Sequence, residues 1–174
     1  MNKKLFGMSI ILIVVVFSCF YNISRNLKNN PSVEKPIHNL LNGFFKIEYG
    51  KDSLNYSDFV NNPDLVEMLT LNKKRFKSTT NKDFKIKITS IHKKENESYI
   101  VKFKTLQGQK MDTLTEYTCL IEKENNKYYI NRFINNIALK DKDPVKFIED
   151  DNLYGNYIKD LIISFSKQNQ STNN

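Results

Sequence analysis

From Pro36 onward, apolar residues recur at steps of three and four: Ile37, Leu40, Leu41, Phe44 and Phe45, with Glu48-Tyr49 closing the run. That spacing lines one face of a helix, and Gly50, tolerant of positive φ, is placed to end it. Tyr56-Ser57-Asp58-Phe59-Val60 reads as a short amphipathic turn or helix. Asn62-Pro63-Asp64 has the cap residue and the first-position proline of a helix start. Leu65, Met68, Leu69, Asn72 and Phe76 then fall on one side of that second helix.

After Thr79-Thr80-Asn81 the period drops to two. Phe84-Lys85-Ile86-Lys87-Ile88-Thr89 alternates strictly, as a half-buried strand requires. Tyr99, Val101 and Phe103 alternate with Lys102 and Lys104; Tyr117, Cys119 and Ile121 alternate with Thr118, Leu120 and Glu122. A fourth strand is predicted over Lys127–Ile134, and turn chemistry separates the four at Lys93–Glu97, Gly108-Gln109-Lys110 and Asn125-Asn126. Four strands on short turns make an antiparallel meander. A polar connector, Lys140–Pro144, leads to a last amphipathic helix carrying Leu153, Tyr157, Ile158, Leu161, Ile162 and Phe165. The fold class is α+β: amino-terminal helices on a curved four-strand meander, with a carboxy-terminal amphipathic helix.

The amino terminus follows a different rule. Leu5 to Tyr21 is a run of 17 uncharged residues behind Lys3 and Lys4. As a helix it would span about 25 Å, and Asn22 and Ile23 extend it toward the ~30 Å of a bilayer core. The flanking lysines place the short end inside. Three outcomes stay open: an uncleaved single-pass anchor, a cleaved signal peptide, or a lipoprotein in which Val16-Phe17-Ser18 is a degenerate recognition sequence and Cys19 is lipidated. The expected division is a cytoplasmic tail (1–4), an anchor or signal segment (5–23), a linker (24–35), an α+β domain (36–136), a connector with the last helix (137–168) and a disordered tail (169–174).

The element order from Pro36 to Ile134, with the Phe44-Phe45 helix, the Phe76 helix and the closing strand Lys127-Tyr128-Tyr129-Ile130, resembles the nuclear transport factor two-like, or cystatin-like cone, superfamily. The resemblance implies a cone interior formed in part by Phe44, Phe76, Tyr117 and Ile130. Anchored extracytoplasmic members of that superfamily include scaffold subunits of conjugation and type IV secretion machines, and others are small lipoproteins and sporulation proteins. Its enzymatic members use an Asp or His deep in the cone, and no position here matches such a motif.

Composition narrows the function classes. The chain has 174 residues, 40% of them hydrophobic, which suits one packed domain with appendages. Basic residues are 24 Lys against 3 Arg, so the residue suited to bidentate base and phosphate reading is scarce, and a sequence-specific nucleic-acid binder is disfavoured. Two cysteines cannot build a disulfide framework or a cysteine-rich zinc site. His38 and His92 have no nucleophile partner at a telling spacing. Asp141, Asp143 and Glu149-Asp150-Asp151 lack the glycine-containing calcium loop and read as helix caps. Cys119, on the face of Tyr117 and Ile121, reads as a buried thiol.

Charge is uneven. Residues 73–104 carry eleven Lys or Arg against Asp83, Glu95 and Glu97, a net of +8. Lys85, Lys87, Lys102 and Lys104 are expected on one outer sheet face, suited either to solvent or to an anionic surface. The expectation is a non-enzymatic, membrane-anchored extracytoplasmic interaction or scaffold domain, in a conjugation, secretion or sporulation assembly. It would touch lipid through its amino-terminal helix and a protein partner or a second copy through its body, with no cofactor and no metal. The alternatives are a cone pocket for a small apolar ligand, of binding, lyase or isomerase type, and a lipoprotein of another role. An enzyme would need convergent polar groups in the cone; a scaffold would fill it with side chains.

Overall fold

The computed structural model describes residues 31–49, 55–75, 83–107 and 113–171. The segment 5–23 with Cys19, most of the linker, Gly50, Phe76 and the Gly108–Lys110 turn lie outside these residues. No helix among the described residues is long and apolar enough to cross a membrane.

Helix α1 runs over Pro31–Glu48, starting five residues before its apolar periodicity does. The first turns carry exposed Ser32, Glu34 and Lys35, so no buried stripe betrays them. Pro31 begins the helix where its missing N–H is harmless. Pro36, inside the helix near its amino-terminal end, costs the one bond its N–H would have made to the Ser32 carbonyl. Ile37, Leu41 and Phe44 are fully buried, as is Ile47, which the spacing had not flagged. The Tyr56–Asp58 segment is a single 3-10 turn, and α2 spans Pro63–Arg75 with Asn62 Oδ1 accepting from Leu65 N–H at 3.2 Å.

Strands β1 (Phe84–Lys93), β2 (Ser98–Gln107), β3 (Thr113–Glu124) and β4 (Lys127–Asn135) form one antiparallel sheet in the order β1-β2-β3-β4. The meander is the predicted one, with longer strands. The Asn125-Asn126 hairpin turn takes positive φ at both residues, a conformation asparagine accepts more readily than most. A bulge between Ile88 and Ser90 breaks the strict alternation of β1.

The two faces of the sheet differ. On one, α1 lays Phe45 edge-on against Phe103 and Tyr117, at centroid distances of 5.8 and 5.3 Å. On the other, helix α3 (Pro144–Glu149) rests on β3 and β4, burying Phe147 and Ile148 at the end of the face that holds buried Ile100 and Ile134. Helix α4 (Asp151–Ser171) then packs along α2. Ile158 is buried as the spacing predicts, and Tyr157, Leu161, Ile162 and Phe165 pack on the core. The first turn corrects the sequence reading: Tyr154 is buried, while Leu153 is 48% exposed. Helical order also reaches Ser171, past the expected start of the tail.

The sheet's edges are treated unequally. Along β4, Ile130 N–H donates to the Phe59 carbonyl at 2.8 Å and its own carbonyl accepts from Asn61 N–H at 3.2 Å. The β1 edge has β2 on one side and no strand on the other among the described residues. Lysines on such an edge discourage pairing with a second sheet.

Candidate functional site

The register brings the four sequence-flagged lysines onto one face. Lys87 lies opposite Lys104, Lys102 opposite Ser90, and Lys85 two residues along from Lys87. At the bulge, Thr89 Oγ1 donates to the Lys102 carbonyl at 3.0 Å, which steadies the irregular pairing. The four are not electrostatically equal. Lys104 is ion-paired with Glu116, its neighbour across β2–β3. Among the described residues no carboxylate pairs with Lys85, Lys87 or Lys102. The patch is therefore three uncompensated charges beside one neutralised pair. Alternation could place the lysines; it could not foresee Glu116, whose pairing depends on the β2–β3 register.

On the α1 side of the sheet, aromatic rings fill the interior. Phe44 meets Phe45 at 5.2 Å, Tyr56 at 5.9 Å and Phe133 at 5.1 Å. Tyr117 stacks on Phe103 at 5.3 Å and on Phe133 at 5.1 Å. Ile130 is fully buried in the same core. Of the four expected interior residues, Phe44, Tyr117 and Ile130 are thus in this core, and Phe76 lies outside the described residues.

One polar group adjoins these rings. Tyr56 Oη donates to Glu48 Oε1 at 2.5 Å. Burial lifts the Glu48 carboxyl above its ordinary value, against the pull of the Tyr56 hydroxyl and the Lys73 charge. Buried Thr105 shares a sheet face with Tyr117, and burial raises the phenols of both Tyr49 and Tyr117. Beside Tyr56 runs an open groove of about 560 Å³, lined by Ile47, Val66, Thr70 and Lys73 among others. The sequence did carry a trace of this group. Glu48 lies four residues after Phe44, so an acid interrupts the apolar stripe of α1. Its partners come from distant segments, which periodicity cannot bring together.

The other candidates have structural partners. Asn42 Nδ2 donates to His38 Nδ1 at 2.9 Å, and His92 is exposed. Asp143 accepts from Val145 N–H at 2.9 Å, Asp150 from Asn152 and Leu153 N–H at 3.0 and 2.9 Å, and Glu149 pairs with Lys94 at 2.6 Å. These acids cap and tie helices, in keeping with the sequence reading. No cluster of three metal-ligating side chains occurs among the described residues. Cys119 is fully buried, and burial drives its thiol pKa upward, which suppresses the reactive thiolate.

Compared with family models, with curated proteins and with solved structures, the chain matches none.

Proposed function

We propose that the protein is a membrane-tethered interaction domain of the cone-like type, which works by contact and not by turning over a substrate. The observation that carries this reading is the packing of Phe44, Phe45, Phe103, Tyr117 and Phe133. Those rings occupy the side of the sheet where a cone protein would hold a ligand. Burial of this kind favours a rigid body whose outer surfaces do the work. The apolar run Leu5–Tyr21 supplies the tether in this reading, and Lys3 and Lys4 leave the body outside the cytoplasm. A conjugation, secretion or sporulation assembly is the kind of setting that uses such a body.

Crosslinking in intact membranes, followed by recovery of the full chain, tests the proposal. A reproducible protein partner or a crosslinked second copy is expected. Recovery of the uncrosslinked monomer alone, or a body shielded from external protease in whole cells, would count against it.

A second reading has one specific observation in its favour. Glu48, Tyr49, Tyr56, Thr105 and Tyr117 are the convergent polar groups that a small-ligand cone pocket would require. Chemical-shift changes confined to these residues on screening small carbonyl compounds would favour it over the scaffold; Glu48→Gln should then abolish them.

A further inference from the structure

The outer face of β1 and β2 is bounded on two sides. Toward β3, Glu116 cancels the charge of Lys104. Ile100, on the same face as Lys102, is buried at the end where α3 rests on the sheet. Between these limits Lys85 and Lys87 project from β1, which has no outer strand neighbour among the described residues, and half-buried Lys102 stands inboard of them. The face is cationic, near the sheet's open edge, and without a carboxylate partner among the described residues.

We propose that this face, through Lys85, Lys87 and Lys102, docks on an anionic phospholipid surface. The proposal rests on the tether reading above, which sets the distance. Nine residues, 22–30, separate the apolar run from the start of α1 and can reach at most about 30 Å when extended. Headgroups would then be the anionic surface always within range of the body. Each lysine near such a surface is worth about fivefold in binding, so three give a factor on the order of a hundred. That is weak for a free protein. For a tethered one it suffices to choose one orientation, because the encounter is already intramolecular. Lys104 contributes little in this account, since its charge is already met. An acidic protein segment is the competing occupant; nothing in the chain holds one close in the same way.

The test uses the full chain reconstituted into vesicles of phosphatidylcholine alone, or of equal parts phosphatidylcholine and phosphatidylglycerol. A membrane-impermeant acetylating reagent reads each lysine by mass spectrometry, with exposed Lys159 on α4 as the internal reference. Relative to Lys159, Lys85, Lys87 and Lys102 should react severalfold more slowly on the anionic vesicles, and high salt should restore them. In Lys85→Gln/Lys87→Gln, the slowing at Lys102 should disappear. Unchanged ratios between the two lipid compositions, in a chain that floats with both vesicles, would overturn the docking while leaving the tether intact. A chain that fails to float with pure phosphatidylcholine would overturn the tether and the docking with it. Slowing by added poly-glutamate but not by phosphatidylglycerol would assign the face to an acidic protein instead.

Discussion

The hydroxyl of Tyr154 accepts the main-chain N–H of Phe133 at 2.9 Å. Helix α4 thereby satisfies a backbone donor of β4 with a side chain, and the strand needs no further neighbour at that point. Tyr154 is 3% exposed, so water cannot take over the role. Alongside it, Arg132 Nη1 donates to the Ile148 carbonyl at 2.7 Å and its other nitrogen pairs with Asp151. One edge of the sheet, the end of α3 and the start of α4 are held by two adjacent residues of β4.

Tyr154→Phe keeps the ring and deletes only the hydroxyl, which accepts from the Phe133 N–H and donates to the Phe133 carbonyl at 3.4 Å. It should cost about 1–3 kcal/mol, the range for leaving a buried donor unpaired. Leu153→Ala, one residue earlier but largely exposed, should cost no more than about 0.5 kcal/mol. Urea denaturation of the body from Pro31 onward checks both. Equal losses would mean that the helix is rotated from the register described here.

Phe44 touches three other aromatic rings and has no exposed surface. Phe44→Ala should therefore destabilise the same body by about 3–5 kcal/mol. A loss below about 1 kcal/mol, measured the same way, would place the ring outside the core.

Gly43 sets two effects against each other. Replacing a helical glycine by alanine ordinarily gains about 1 kcal/mol. Here, however, a methyl group would occupy the space of the Phe59 ring. Overpacking of that kind costs about 1–3 kcal/mol, so Gly43→Ala should be net destabilising. Adding Phe59→Leu makes room and should return part of the loss. Additive effects in the double mutant would show that the two positions do not touch.

What was legible in the sequence was whatever depended on local period. Ile37 to Phe45 announced α1, and the switch to period two at Phe84 announced the sheet. The start of α1 was hidden because Ser32, Glu34 and Lys35 face solvent and carry no pattern. Only the first turn of α4 was misjudged, because Leu153 and Tyr154 are adjacent and both offer an apolar surface. Tyr154 lies four residues before buried Ile158 and so shares its face, where its hydroxyl reaches the backbone of β4. The lysine face was legible for the same reason as the strands. Glu116 and Glu48 were not read in their roles, since their partners are fixed by tertiary pairing across segments that no spacing rule connects.

Glu48 offers a prediction in which the sign is decided by its surroundings. Burial raises its folded-state pKa above the ordinary value of 4.5, and this outweighs the Tyr56 hydrogen bond and the Lys73 charge. In the window between those two values the folded state holds the proton and the unfolded state has released it. Stability must then fall as pH rises through the window, since the unfolded state binds fewer protons. Below about 4.5 the carboxyl is protonated in both states and costs nothing; above the raised value the full penalty is present. Other acids titrate nearby, so the quantity to measure is the difference between the wild-type body and Glu48→Gln across that range. Glu48→Gln should gain on wild type as pH rises, because the amide has no charge to bury. Tyr56→Phe should steepen the wild-type loss, because it removes the hydroxyl that stabilises the carboxylate. Parallel stability curves for wild type and Glu48→Gln would mean that the carboxyl is as well solvated folded as unfolded. A wild type that gains on the variant with rising pH would mean that the tyrosine and the lysine, and not burial, govern the group.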